Sequence, residues 1–282
     1  MKGWHIFVVA IMLVSVLSIS ACTVETPEEL PKPNGDDVYT HPQPPYSKNS
    51  AGELVHLINN SSAVGPTWDR LKDFLVLDAT DQRHYNLYSY PCAAFAETVH
   101  NNAEEAGIRA AWVAVDFIDS DEIHALNAFV TIDKGLVYVD CTGDDPLIVC
   151  LPIYTFDYST KTVVKHPCEP DSYDKIAYVA VDKEYGLVSL DTATSPSYDF
   201  YEGYTDRNEE YNREVEAYNQ DAEAYIQALG GRSSLAEPEY AYFMSWHNRL
   251  ESRRLELEVM REGLGDFSWK SLGTVASIEI YW

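Results

Sequence analysis

Three patterns predict an α+β fold, in which a helix packs on an antiparallel sheet and an antiparallel helical hairpin follows toward the C-terminus. Phe95, Val99, Ala103 and Ala106 recur at helical spacing over residues 91–106, and Gly107 stands where a C-cap glycine belongs. Apolar and β-branched runs follow at 108–117, 124–132 and 136–141, separated by an acidic loop and by the turn signal Asp133-Lys134-Gly135. Further on, Tyr204, Tyr211, Tyr218 and Tyr225 fall every seven residues, with Val215, Ala222 and Leu229 between them. Gly230-Gly231 ends this seam. A second seam runs through Phe243, Trp246, Leu250, Leu257, Met260 and Leu264, with Arg253 in the one skipped place, and the two read as a self-packed hairpin docked on the core, with an arm that presents a partner or substrate as the alternative.

Composition narrows the function before any motif does. The chain has 282 residues, 46% of them hydrophobic, which is enough for a real core. Acidic residues number 45 against 20 basic ones, giving a formal net charge of −25. Such a surface repels a phosphate backbone and excludes nucleic acid as a partner. Five cysteines are too few for a disulfide-built scaffold of this length.

The N-terminus reads as an address. Lys2 precedes an apolar run over residues 6–17, the length of a signal-peptide core and short for a membrane span. Ile19-Ser20-Ala21-Cys22 resembles the bacterial lipobox, which implies lipid attachment at Cys22, a membrane anchor and an extracytoplasmic location. Six prolines among polar and acidic residues follow up to residue 50, with no apolar periodicity, so residues 22–50 are expected to form an extended tether. The chain then divides into an export signal at 1–21, this tether, a core at 51–200, the helical hairpin at 201–265 and a strand at 266–282 that returns to the core. A monomer is expected.

The core opens with two short helix candidates, residues 52–60 and 66–78; in the second, Pro66 suits the first helical position and Trp68, Leu71, Phe74 and Leu75 share a face. Beyond the third strand, short β-like runs at 162–165, 176–181 and 186–190 are expected to extend the sheet.

The residues that carry chemistry lie between these elements. Cys92 falls in the first turn of the helix at 91–106, where unpaired N–H groups and the helix dipole favour a thiolate and can receive an oxyanion. His124 opens the second strand of the core and Asp140 closes the third. An imidazole can take the thiol proton and later protonate a leaving amine, and a carboxylate fixes the ring's tautomer and stabilises its cation. If a three-residue turn pairs Ile132 with Leu136, Asp140 lies opposite Ala128. His124 and Asp140 then share a face but stand four positions apart, beyond hydrogen-bond reach without a bulge or strong twist.

Pro91-Cys92 with Phe95-Ala96, then Ala106-Gly107-Ile108-Arg109-Ala110, His124-Ala125-Leu126-Asn127 and Val139-Asp140-Cys141-Thr142 together resemble the core of the transglutaminase-like superfamily. Its members are cysteine acyl-transfer enzymes with a papain-like arrangement. The resemblance implies Cys92 as nucleophile, His124 as base and Asp140 as orienting acid, a peptide or protein amide as substrate, and no metal or organic cofactor. Leu126 stands where the family commonly has Trp, Cys141 where it commonly has Pro, and Pro91 where a small residue is more usual. Asn86, Tyr88 and Tyr90 all remain open as the second oxyanion donor. The competing expectation is a non-catalytic surface module of the same fold that binds a protein or a cell-wall peptide.

Of the other cysteines, Cys150 and Cys168 flank loop-like, proline-containing sequence and are the expected disulfide, with Cys141 free. A zinc set of Cys141, Cys150, Cys168 and His166 lacks the short paired spacing of structural sites. His56, His84, His100, His166 and His247 read as surface or hydrogen-bonded residues.

Overall fold

The computed structural model describes residues 38–49, 51–118, 120–143, 148–150, 153–157, 162–166, 172–230, 234–264, 267–269 and 271–282. The expected export signal at 1–21, Cys22 and residues 22–37 lie outside them. So do Cys168 and the side chains of Cys150 and His166, and with them the expected disulfide and the zinc set.

The described residues form an α+β fold of two compact units, one drawing on Pro27–Cys150, Pro170–Gly203 and Phe267–Trp282, the other on Leu151–Glu169 and Tyr204–Asp266. The first unit is built on a seven-stranded sheet. In chain order its strands are β1 (Val38–His41), β2 (Ala111–Phe117), β3 (Ser120–Thr131), β4 (Gly135–Asp140), β8 (Lys175–Tyr178), β9 (Gly186–Ser189) and β11 (Val275–Tyr281). Across the sheet the order is β1-β11-β2-β3-β4-β8-β9. Every neighbouring pair is antiparallel except β1 with β11. The C-terminal strand thus returns to the core and takes a place between β1 and β2.

The expected tether at 22–50 does not extend over residues 38–49, which are structured. Val38–His41 is an edge strand, and Tyr46 stacks on Trp112 at 5.6 Å while its hydroxyl donates to Glu279 at 2.6 Å. One aromatic anchor and an open sheet edge outweigh the polar composition of residues 38–50. Residues 52–60 form no helix either. Val55 and Leu57 are buried while Leu54, His56 and Ile58 are exposed, the alternation of an extended segment. The second candidate is helix α1 (Trp68–Leu77). Its N-cap is Thr67, whose hydroxyl accepts from the Arg70 amide, so Pro66 precedes the cap.

Helix α2 (Cys92–Glu105) lies on the sheet, Pro91 is its N-cap, and Gly107 follows in the left-handed region at φ 73°. Ala93 and Ala96 pack with Trp112 and Ala114 of β2, Ala125 of β3 and Tyr281 of β11. Small residues on both surfaces let the helix approach closely. The Glu104 carboxylate, buried near the other end of α2, accepts from the amides of Asn60 and Ala110 and ties the extended segment and the start of β2 to the helix.

The expected runs at 176–181 and 186–190 correspond to β8 and β9, which extend the main sheet. The run at 162–165 does not extend it: β7 (Thr162–His166) pairs with β6 (Ile153–Asp157) in a separate hairpin. β10 (Phe267–Trp269) pairs with β5 (Ile148–Cys150).

The second unit contains the helical hairpin, α3 (Tyr198–Leu229) and α4 (Glu237–Glu262), although the first residues of α3 belong to the sheet unit. Val215, Tyr218, Ala222, Leu250 and Leu257 form its core. Glu214 meets Arg253, Asp221 meets Trp246 and Tyr225 meets Phe243, the falling series of an antiparallel pair. Arg253, the interruption in the second seam, closes an ion pair at the rim. Among the described residues no helix is long and apolar enough to cross a membrane.

Candidate active site

Cys92 is the first residue of α2. Pro91 has no N–H to satisfy, no side chain caps the helix, and the amides of Ala94 and Phe95 bond to the Pro91 carbonyl. The Cys92 and Ala93 amides are thus the donors this helix head offers to an oxyanion. The helix is fixed just behind the thiol: Trp112 Nε1 donates to the Ala93 carbonyl at 3.2 Å, and Asn127 Nδ2 donates to the Ala96 carbonyl at 2.8 Å. Asn127, the last residue of the His-Ala-Leu-Asn segment, therefore locks the helix to the strand that carries His124.

The register of β3 and β4 decides the rest. Thr131 pairs with Gly135 and Asn127 with Val139, so the turn is residues 132–134 and Asp140 falls opposite Leu126, not Ala128. Gly135, which pairs with Thr131 and closes the turn, takes φ 77°, in the left-handed region that favours glycine. Asp133 fixes the same turn by accepting from the Trp68 amide at the head of α1, 2.8 Å away. Moving the closing pair by one residue on each strand keeps the parity and halves the offset of His124 and Asp140 from four positions to two. Diagonal neighbours two apart lie within reach of longer side chains.

His124 Nε2 and Asp140 Oδ2 are 2.9 Å apart, both side chains buried. The Cys92 side chain lies close enough to the imidazole to raise its proton affinity. With Nε2 on Asp140, Nδ1 is the ring atom left for the thiol. The structure thus brings Cys92, His124 and Asp140 into one connected set. Burial disfavours the charged ring, but the Asp140 carboxylate and the Cys92 sulfur outweigh it and raise the imidazole's proton affinity above the ordinary histidine value. Burial likewise opposes the Asp140 charge, yet Lys175, His124 and the Thr142 amide hold its carboxyl far below the usual carboxylate range.

Asp140 has further partners that the sequence did not single out. Its Oδ2 accepts from the Tyr185 hydroxyl at 3.2 Å and its Oδ1 from the Thr142 amide at 2.8 Å. Lys175 Nζ stands 3.8 Å from Oδ1 and donates to the Thr142 carbonyl at 2.7 Å. The Tyr185 ring also meets the His124 ring edge-on, with centroids 5.6 Å apart. One signal could have pointed here: a lysine directly before the apolar run 176–181 is a charge at the head of a strand that needs burial.

The segment after Asp140 is tightly held. A Cβ on Gly143 would lie 2.3 Å from the Arg83 carbonyl oxygen and 2.6 Å from that of Asp81, so only glycine lets the chain pass this turn. Cys141 is free and buried, its thiol pushed up by burial and by Asp174. Asp174 is buried too; burial and Asp81 push its carboxyl up to about 7.

The three open oxyanion candidates are placed as follows. The Tyr90 hydroxyl contacts Thr98 Oγ1 at 2.6 Å and accepts from Arg83 Nη1 at 2.9 Å, and Asn86 Oδ1 accepts the amides of Tyr88 and Ser89 in its own turn. Tyr88 is exposed. Among the other histidines, His56 and His84 are exposed, but His100 is completely buried. Its Nδ1 meets Asn101 Oδ1 at 3.0 Å, Nε2 has no partner among the described residues, and burial lowers its proton affinity. Among the described residues no group of three or more His, Cys, Asp or Glu side chains is placed to hold a metal ion.

No family model, curated protein or solved structure matches this chain.

Proposed function

We propose that the protein is a surface-anchored, transglutaminase-like cysteine enzyme that cleaves or transfers the acyl groups of peptide or protein amides through a Cys92 thioester. The observation that carries this reading is the His124 imidazole, bonded to the Asp140 carboxylate and within electrostatic reach of a thiol at the head of a helix. The order of groups along this set is that of a papain-like site, as the motif resemblance implies.

The residues divide the work as their chemistry dictates. The Cys92 sulfur attacks the carbonyl carbon, and the carbonyl electrons move to oxygen, where the Cys92 and Ala93 amides stabilise them. Collapse of this intermediate breaks the C–N bond as His124, protonated on Nδ1, hands its proton to the leaving amine. A water, deprotonated by the same imidazole, then attacks the thioester and expels the thiol as a free acid forms. An amine in place of water gives transfer. Hydrolysis is the favoured outcome because water is always present. Asp140 holds the ring in the tautomer and orientation these steps need. The anchor follows from the Cys22 lipobox.

The test is incubation of the protein with a peptide library and an amine donor, read by mass, for wild type and Cys92→Ala. Wild-type cleavage of peptides indicates hydrolysis, addition of the donor indicates transfer, and either should vanish in the variant. A wild type indistinguishable from Cys92→Ala rejects the enzyme and leaves the binding module. Lipid attachment is read separately, as loss of metabolic acyl labelling in Cys22→Ser.

A further inference from the structure

Lys175 opens β8 directly opposite Asp140 in the register, with only 1% of its surface exposed. Burying an ammonium is costly unless it is well paired. Its bond to the Thr142 carbonyl needs only a donor, which a neutral side chain could supply at smaller desolvation cost. The charge itself is what calls for an explanation, and it lies 3.8 Å from Asp140 Oδ1.

We propose that Lys175 is a positioning residue that sets the pH window of the Cys92–His124–Asp140 set by holding a fixed positive charge behind Asp140. The inference rests on the reading given under Proposed function and adds the element that tunes it. From Lys175 through Asp140 and His124 to Cys92 the charges alternate in sign when the thiol is ionised, and the four sum to zero. Without Lys175 the same set carries one negative charge in a buried place. A fixed cation disfavours protonation of every titratable neighbour, so it holds the thiolate at lower pH and keeps Asp140 from over-stabilising the imidazolium.

The Tyr185 hydroxyl and Thr142 amide bond to Asp140, and His124 approaches from β3. Cys141, the next residue in the chain, lies within electrostatic range of Asp140 and Asp174. Asp174 precedes Lys175 in the chain, interacts with its charge, and is itself influenced by Asp81 and bonded to Ser172. Ionisation of Asp174 offsets part of the lysine charge, so it should act with the opposite sign.

The experiment is iodoacetamide labelling of the full chain across pH, read by mass on the peptide that contains Cys92. It needs no substrate. Lys175→Met removes the charge, Lys175→Gln removes it but keeps a donor for Thr142, and Lys175→Arg keeps it. The midpoint of labelling should rise by about one pH unit in the Met and Gln variants, stay in place in Arg, and fall in Asp174→Asn. A merely structural lysine would lower thermal stability in all three Lys175 variants and leave every midpoint where it was, which overturns the inference while the proposed enzyme stands. A wild-type midpoint at the free-thiol value, about 8.5, rejects both. Should the neutral variants fail to fold, the wild type provides the check: with lysines labelled in nitrogen-15, an exchange-protected ammonium resonance assigned to Lys175 must shift when Cys92 is alkylated. A Lys175 signal that does not respond overturns the inference.

Discussion

Two parts of the molecule hold ion pairs at similar distances in opposite surroundings. In the sheet unit, His124 and Asp140 are 2.9 Å apart with side chains 10% and 3% exposed; in the helical hairpin, Arg253 and Glu214 are 2.7 Å apart with 33% and 47% exposed. Distance alone ranks the hairpin pair first. The surroundings reverse the order, because water screens the rim pair and competes for it, whereas nothing replaces a lost partner in the buried set. The hairpin rests instead on its apolar seam. Each region should therefore fail through a different kind of substitution.

The largest effect is expected from Asp140→Ala. It leaves Lys175 and the imidazolium buried without their counter-charge, at a cost of about 3–5 kcal/mol in urea unfolding, and it should lower the proposed amidase or transfer activity by roughly two to four orders of magnitude. The pH dependence of this contribution has two limbs. Asp140 is held below its ordinary value of 3.8, so its contribution is present above that value and lost as the pH falls toward the lowered one. His124 is held above 6.5, so its contribution is full below that pH and lost as the pH rises through the raised value. Wild type and variant should differ most between these two ordinary values. Equal unfolding midpoints there would mean that the set is not the buried network described.

In the hairpin the comparable break is apolar. Leu250 is fully buried against Val215, Tyr218 and Ala222, and Leu250→Ala should cost about 2–5 kcal/mol, with little change in the pH dependence of unfolding. A pH-dependent loss would show that charge, not packing, holds this unit.

Asp174→Asn sharpens the comparison from the other side. The Asp174 carboxyl is raised from 3.8 to about 7, so between those values the folded chain binds more protons than the unfolded one and stability falls as pH rises. The variant should lack this decline, whose slope is at most about 1.4 kcal/mol per pH unit for one proton. Identical slopes in both proteins would place Asp174 outside the buried network. The smallest effect belongs to Arg253→Ala, under about 1 kcal/mol and smaller still at high salt. A loss of several kcal/mol would erase the contrast between the two regions.

Much of this was legible in the chain. Helix α2 and its glycine stop, the antiparallel order of β2, β3 and β4, the hairpin seams and the returning C-terminal strand all follow from local periodicity. Parity placed His124 and Asp140 on one face. Their contact was not legible, because the turn could close at Ile132 with Leu136 or at Thr131 with Gly135. What favours the second is the left-handed Gly135 and the bond from the Trp68 amide to Asp133, which ties the turn to α1, an element more than fifty residues earlier in the chain. The strand at Val38–His41 was hidden for a related reason: four residues gain strand structure only from the sheet edge that receives them.

The sequence by itself determined which elements form and which chemical groups they carry, since spacing of 3.6 or two residues and the placement of glycine and proline act over short range. Tertiary structure alone decided which groups meet. Lys175 and Tyr185 are 35 and 45 residues from Asp140 in the chain, and no local pattern links them to it. Their charge and hydroxyl acquire meaning only where the sheet excludes water, because the same contacts made in solvent would contribute little.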